Sequence, residues 1–283
     1  MVAFLIHLAI MAGIFTIVAL SLNFQVGVTG LSNFGQAAFF AIGAYTSALM
    51  YMAGIPFIVG VVAGMVFSAL FALVIALPTS NLREDYWAIV SIAAAESLRL
   101  FINNEKWLAE GPFGLRGIPR PFSSLFGDYY NLFYLVLVLV CVVIAYFFLE
   151  RLAKSPFGRV LRGIREAEVL MSALGKHVFR FKIIAMVVGG IVASVGGSLY
   201  AHYITFISPE HFAPTVTFLL WTMVIIGGRG NASGVVVGSI VITVLNSSTR
   251  FVKDWLMLPT DLVAALRTLI IGALTIFFVV VRP

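Results

Sequence analysis

Residues 131–149 read NLFYLVLVLVCVVIAYFFL, and this stretch without a charged side chain decides the fold class. An α-helix rises ~1.5 Å per residue, so about 20 apolar residues cross the ~30 Å hydrocarbon core of a bilayer. A run of this length therefore predicts a membrane-spanning helix. The alternation of polar and apolar residues that a membrane β-barrel requires is absent. Cys141, the single cysteine, lies inside the run and is expected to be a packing residue.

The rest of the chain has the same character. Hydrophobic residues make up 61% of its 283 residues and charged residues 11%, whereas soluble domains have roughly 45–50% and ~25%. Apolar segments recur at 2–22, 31–52, 55–79, 85–102, 131–149, 183–205, 215–228, 233–249 and 262–281. The sequence therefore predicts an all-α, polytopic transmembrane bundle of about nine membrane segments, forming a single domain over residues 1–283.

Glycines indicate that some of these segments are interrupted. Two patterns of the same spacing occur far apart in the chain, Gly27-x-x-Gly30 followed by Gly35 and Gly227-x-x-Gly230 followed by Gly234. The segment at 215–228 covers only ~21 Å as a helix, which barely spans the hydrocarbon core. Broken or re-entrant helices are expected at both places, as in transporters that build a central path from such pairs. In a chain with 25 glycines, chance recurrence is the alternative explanation.

Basic residues predict the orientation in the membrane. The net charge of +6 could indicate a nucleic-acid partner, but Lys and Arg cluster at the ends of apolar segments, as membrane orientation requires. Residues 150–182 contain eight of the 18, namely Arg151, Lys154, Arg159, Arg162, Arg165, Lys176, Arg180 and Lys182. This region is therefore predicted to be cytoplasmic, together with Arg83, Arg229 and Arg282. The loop at 103–130 is then external, and no nucleic-acid partner is expected.

The cytoplasmic region has the pattern of two short helices. Ser155 is a suitable N-cap and Pro156 suits the first helical position. A second helix is expected to begin near Glu166 and to end at Gly175, where glycine can adopt the left-handed cap. A short helix between basic segments could serve as a handle for a cytosolic partner. A solvated loop anchored by its charges is the other interpretation.

Few residues suggest chemistry. No phosphate-binding lysine follows the glycines at 227–234, no nucleophile elbow occurs, and the four histidines are scattered without ligand-like spacing. The chain is therefore expected to be no enzyme and to carry no metal or other cofactor. Glu96 and Arg99 lie three residues apart inside an apolar segment, with Asn103 near its end. They either line a polar path or form a self-neutralised ion pair, while Arg267 is expected to extend to the membrane surface.

Several ordered motifs together carry a family resemblance. They are LSNFGQAAFFAIGAY at 31–45, ESLRL at 96–100, GPFGLRGIP at 111–119, SPFGR at 155–159, RGIRE at 162–166, ALG at 173–175, YAHY at 200–203, FISP at 206–209 and GGRG at 227–230. Over about residues 20 to 250 the chain resembles the membrane permease of branched-chain amino-acid ABC importers. The external GP…GIP motif favours the M-type subunit. Gln36 stands where histidine is frequent in that family.

The resemblance implies how such a chain works. In the family, a cytoplasmic coupling segment docks on an ATPase subunit, and the matching residues here are Arg165, Glu166, Ala167, Glu168, Ala173, Leu174 and Gly175. Departures at Ala167 and at 170–171, where relatives commonly carry a second acid and an Ala-Ala pair, concern the specificity of docking. By position in the membrane, the translocation path or its polar lining is expected to involve Glu96, Arg99, Asn103 and Gln36.

The resemblance also implies the partners and the substrate. The expected partners are a second homologous permease subunit, two cytosolic ATPase subunits that hold ATP and Mg²⁺, an external substrate-binding protein and membrane lipid. The chain is expected in the prokaryotic inner membrane. Branched-chain amino acids are the usual substrates of the family, and close relatives carry urea or short amides. An ion-coupled secondary amino-acid carrier or a purely structural membrane subunit is the alternative from a different class.

Overall fold

The computed structural model describes residues 2–79, 84–256 and 260–281, and nearly all of this is helical. The α-helices are α1 (Val2–Asn23), α2 (Gln36–Met52), α3 (Phe57–Ala76), α4 (Glu84–Asn104), α5 (Lys106–Ala109), α6 (Ser123–Phe126), α7 (Tyr130–Lys154), α8 (Pro156–Glu166), α9 (Glu168–Ala173), α10 (Val178–Ile204), α11 (Pro214–Gly227), α12 (Ala232–Leu256) and α13 (Thr260–Val281). A π-helical turn, Phe24–Val28, continues α1. Two short strands, β1 (Leu115–Arg116) and β2 (Phe206–Ile207), pair antiparallel.

The helices form an all-α membrane bundle. In the described part of the chain, five helical stretches are long and apolar enough to cross a membrane, namely Val2–Val28, Phe57–Ala76, Tyr130–Lys154, Val178–Ile204 and Pro209–Gly227. The predicted count of about nine is not supported by this measure. Helix α2 has only 17 residues, and α12 and α13 contribute shorter apolar stretches, Ala232–Ser247 and Leu269–Phe278.

The outer faces of the bundle are apolar. Along α3 the exposed side chains include Val62, Val66 and Val74, and along α7 they include Ile144 and Phe147, each more than half exposed. In water such continuous apolar surface would drive association. In a bilayer these faces are solvated by lipid, so their exposure is the expected state of a membrane protein.

Helix α10 lies at the centre, and small residues let it approach its neighbours closely. A Cβ atom on Gly43 of α2 would meet the backbone of Ser194 of α10, and one on Gly197 would meet the backbone of Phe40. The Ser198 hydroxyl donates a hydrogen bond to the Gly43 carbonyl at 3.0 Å. These contacts show that the small residues along α10 allow tight helix packing.

The glycine series at 230–238 also marks a close approach. A Cβ atom on Gly234 would collide with the Gly227 carbonyl, and one on Gly238 would lie 3.0 Å from the Gly227 nitrogen. Helices α11 and α12 therefore pack almost backbone to backbone below the turn that joins them.

The cytoplasmic region forms the two short helices that its sequence predicts. The Ser155 hydroxyl accepts a hydrogen bond from the Gly158 backbone N–H at 3.3 Å and caps α8, with Pro156 as its first residue. Gly175 has a φ of +76° just after α9, as its predicted capping role requires. The boundary between the helices differs from the prediction: α8 continues through Glu166, and the break falls at the extended residue Ala167.

Two ends of the bundle can be distinguished. Strand pairing joins the loop at 103–130 to the segment after α10 at one end, through Leu115 opposite Ile207. Residues 150–182, the π-helical turn and the turn at 228–231 meet at the other end. Arg83 and Arg282, which the charge pattern assigns to that second end, lie outside the described residues, as does the side chain of Arg267.

Candidate functional site

Helix α8 lies across the end of the bundle on an apolar face. Leu161 and Ile164 are fully buried, and the Phe157 ring stacks on Phe181 of α10 with centroids 5.4 Å apart. Arg159 and Arg162 lie on the opposite, exposed face. This one-sided pattern seats α8 on the ends of α7 and α10.

Helix α9 is held by an ion pair and presents aliphatic side chains outward. The Lys182 ammonium, whose side chain is only 5% exposed, contacts the Glu168 carboxylate at 2.8 Å. Val169 is 84% exposed, Leu170 58% and Leu174 65%. Large aliphatic groups so exposed beside a basic, polar region mark an interaction surface. Val169, Leu170 and Leu174 are called the α9 aliphatic face below.

The seven residues of the predicted coupling segment do not all face the same way. Ala167 is the break between α8 and α9, and Ala173, Leu174 and Gly175 form the exposed end of α9. Glu166 is 72% exposed, and its carboxylate lies 3.9 Å from Arg165. Arg165 itself turns toward the bundle and donates a hydrogen bond to the Gly27 carbonyl.

A buried polar network lies between α1 and α2. Asn33 Nδ2 donates to Gln25 Oε1 and to Gln36 Oε1, each at 2.8 Å. Gln36 Nε2 donates to the Ser21 hydroxyl at 2.6 Å. Gln25 Nε2 reaches the Met186 carbonyl of α10 at 3.1 Å. Because all four polar side chains are buried, these bonds compensate for their removal from water. Gln36, a predicted path residue, is thus bonded within the chain.

The same network holds an irregular stretch of backbone inside the bundle. Between the π-helical turn and α2 the chain is not helical, so its peptide groups lack helical hydrogen-bond partners and need others inside a bilayer. Trp221 Nε1 donates to the Asn33 carbonyl at 3.0 Å. Ser91 of α4 accepts from the Phe34 N–H at 2.9 Å, and Thr217 of α11 accepts from the Ala37 N–H at 3.0 Å. The interruption expected from the first glycine pattern is present.

Glu96 and Arg99 form the ion pair that the sequence predicts. Arg99 Nη2 lies 2.6 Å from Glu96 Oε1, and Nε lies 2.9 Å from Oε2, so the contact is bidentate. Arg99 Nη1 also reaches Glu210 Oε1 at 3.0 Å, which joins α4 to the 3₁₀ turn Pro209–Phe212. Asn103 is half-buried further along α4. The pair therefore neutralises itself and also ties α4 to the segment after α10.

Sequence reasoning missed several of these residues. Glu210 is 111 positions from Arg99, and no local spacing connects them. Asn33 and Gln25 stand in or beside apolar segments, which is the signal that a buried polar group carries in a membrane protein. The structure does not bring Gln36 and the Glu96–Arg99 pair together through any described contact.

Comparisons with known proteins agree with this architecture. A family model described as "Branched-chain amino acid transport system / permease component" matches residues 4–279. The high-affinity branched-chain amino acid transport permease LivM of Salmonella typhimurium is 30% identical, covering 98% of this chain and 68% of that protein. The probable permease LivM of Methanocaldococcus jannaschii is 30% identical, covering 80% and 75%. LivH of Salmonella typhimurium is 23% identical, covering 81% and 80%.

No solved structure matches the chain. The family model spans nearly all of it, well beyond the motifs that suggest the resemblance. With its apolar helices, the chain is a multi-pass protein of the prokaryotic inner membrane. It belongs to the family of permease components of branched-chain amino acid transport systems.

Proposed function

We propose that this chain is the M-type permease subunit of an ATP-driven ABC importer for branched-chain amino acids. It forms half of the translocation path with a second homologous permease subunit and receives its substrate from an external binding protein. Two cytosolic ATPase subunits, which hold ATP and Mg²⁺, drive the cycle. The chain carries no cofactor and catalyses no reaction itself.

The α9 aliphatic face is the observation that carries this proposal. A solitary channel or carrier has no reason to expose Val169, Leu170 and Leu174 at a polar end of the bundle. Burying a side chain of this size is worth about 1.5–3 kcal/mol, so a groove on a partner would gain several kcal/mol from the face. The Glu168–Lys182 ion pair fixes α9 to α10, so a force applied to the face reaches a central membrane helix.

The opposite end is proposed to meet the binding protein. The loop at 103–130 is external in this proposal, and its pairing with Phe206–Ile207 builds a joint surface. Trp107 is 78% exposed, Phe113 66% and Tyr129 74%. Exposed aromatic side chains are common at the centre of protein interfaces. The Arg99–Glu210 contact connects this surface to α4, which carries the polar residues proposed to line the path.

A finer membrane topology follows from the same orientation. We propose nine membrane segments, with α2, α4, α12 and α13 added to the five stretches that satisfy the length criterion. Residues 150–182 are then cytoplasmic and 103–130 external, in a single domain over residues 1–283. Single cysteines placed at 107 and at 169, in a chain whose Cys141 is replaced by alanine, should be labelled by an impermeant thiol reagent from opposite sides of the membrane.

Purification of the intact complex tests the function. The chain is extracted gently from native membranes, and its co-eluting proteins are identified by mass spectrometry. After the binding protein is added, ATP hydrolysis is measured with leucine, with urea and with buffer alone. A second permease, two ATPases and stimulation by leucine are expected. A complex stimulated only by urea would overturn the substrate class. A lone chain that takes up leucine in liposomes under an ion gradient would overturn the importer.

A further inference from the structure

Arg165 differs from the rest of the coupling segment in the direction of its side chain. It is the penultimate residue of α8, yet its guanidinium reaches the membrane helices and donates a hydrogen bond from Nη1 to the carbonyl oxygen of Gly27. The Arg165 side chain is 37% exposed, about half the value for its neighbour Glu166 at 72%. Arg165 is therefore a contact between the cytoplasmic region and α1, more than a surface group available to a partner.

The Gly27 carbonyl is a good acceptor for this guanidinium. The last carbonyls of a helix have no donor within the helix, and their partial negative charge favours a cation. Gly27 lies in the π-helical turn Phe24–Val28 with which α1 ends. Single π-helical turns are rare and often occur at functional sites. Arg165 thus caps α1 from another helix, 138 residues away in sequence.

The aliphatic part of the Arg165 side chain packs against Gly30. Gly30 has a φ of +77°, and a Cβ atom on it would lie 2.7 Å from Arg165 Cγ and 3.3 Å from Arg165 Cα. Arg165 Cα and the first carbons of its side chain therefore lie directly against Gly30, which has no side chain of its own. A displacement of α8 toward this contact therefore presses directly on Gly30 and the backbone beside it.

The turn between α11 and α12 also contacts the end of α1 beside Arg165. The Gly230 N–H donates to Asn23 Oδ1 at 2.8 Å, which ties the turn between α11 and α12 to the end of α1. A Cβ atom on Gly230 would lie 3.2 Å from the Gly27 carbonyl oxygen and 3.6 Å from Arg165 Nη1. The two glycine patterns of the sequence thus meet each other here, with the Arg165 guanidinium beside them.

We infer that Arg165 is a positioning residue that transmits movement of α8 and α9 to the joined ends of α1, α11 and α12. The inference rests on the proposed function, since the movement originates in the ATPase subunits docked on the α9 aliphatic face. Docking and transmission are then separate tasks of one cytoplasmic region. The α9 aliphatic face binds the partner, and Arg165 conveys the displacement.

Paired substitutions in the intact importer test this. Arg165→Met keeps the aliphatic part and removes the donor, while Arg165→Lys keeps one donor. Arg162→Met on the same helix is the matched control, because Arg162 Nη2 also donates to a carbonyl, that of Ala153 at 2.7 Å, but only within the α7–α8 corner. The complexes are reconstituted in liposomes, and leucine uptake and ATP hydrolysis are measured on the same samples.

Arg165→Met is expected to co-purify with the ATPase subunits but to transport at least ~5-fold less leucine per ATP hydrolysed, the lower end of typical coupling between sites. Arg165→Lys should recover part of that ratio, and Arg162→Met should keep the wild-type ratio. Uptake and hydrolysis that fall in equal proportion in Arg165→Met would overturn the inference. So would a loss of coupling in Arg162→Met as large as that in Arg165→Met.

Hydrogen exchange on the wild-type complex gives an answer even where Arg165→Met does not fold. ATP with vanadate should change the protection of residues 24–30 and 228–231 together with that of 156–173, and unchanged protection at 24–30 and 228–231 would overturn the inference. A wild-type preparation without ATPase subunits would overturn the proposed function itself. A coupled wild-type complex whose Arg165→Met variant keeps the normal ratio would overturn the inference alone.

Discussion

The role of Gln36 can be decided by replacing it with leucine. Gln36→Leu removes two hydrogen bonds, the one accepted from Asn33 Nδ2 and the one donated to the Ser21 hydroxyl. Each hydrogen bond is worth about 0.5–1.5 kcal/mol, and the orphaned, buried side-chain Nδ2–H of Asn33 adds about 1–3 kcal/mol. The expected total loss in the free energy of unfolding is ~2–6 kcal/mol. At about 2–4 °C per kcal/mol for a chain of this size, the apparent melting temperature in detergent should fall by ~4–24 °C.

Ser68→Ala is the matched control. Ser68 is fully buried in α3, and its hydroxyl has no hydrogen-bond partner among the described residues, so its removal should leave the melting temperature unchanged or raise it. Fluorescence-detected size exclusion after heating measures both variants. If Gln36→Leu melts like wild type and only uptake is lost, Gln36 touches the solute and the network argument is wrong. An equal fall for Ser68→Ala would show that the assay does not resolve the network.

Three further substitutions have definite expected results. Gly43→Ala should abolish most of the folded yield, because the added Cβ would meet the Ser194 backbone. Gly272→Ala is the control and should express normally, because there is open space at its Cβ. Equal yields of the two variants would refute the close α2–α10 contact. Glu96→Gln should lower leucine uptake more than folded yield, since Arg99 keeps Glu210 as a partner, and a matching fall in yield would return the pair to a purely structural role. Leu174→Asp should leave the permease folded but abolish co-purification of the ATPase subunits, because Leu174 belongs to the α9 aliphatic face. Normal recovery of those subunits would contradict docking through α9.

The features that depend on neighbouring residues could be predicted from the sequence. A run such as 131–149 can only be a membrane helix, and the cap at Ser155 and the stop at Gly175 depend on local geometry that a few residues determine. The Glu96–Arg99 contact also follows from its spacing of three. The end of α8 was predicted less well, because the choice between Glu166 and Ala167 depends on how α9 is anchored by Lys182.

The features that depend on folding the whole chain could not be predicted in this way. Asn33 bonds with groups on both sides of it, and its importance appears only when the chain around it packs against α4, α10 and α11. Arg165 belongs by sequence to the coupling segment, but its contact with Gly27 depends on where α8 lies under α1. The number of membrane segments could not be predicted reliably either, because interrupted helices such as α2 are too short for a simple length criterion.

The backbone contact between α2 and α10 also restricts how the bundle can change shape. Gly43 and Gly197 leave no layer of side chains between these helices, so neither can slide along the other without driving carbonyl oxygens into Cα atoms. The two helices therefore rotate or tilt as one rigid body. Any opening and closing of the permease must therefore move α2 and α10 together against the rest of the bundle.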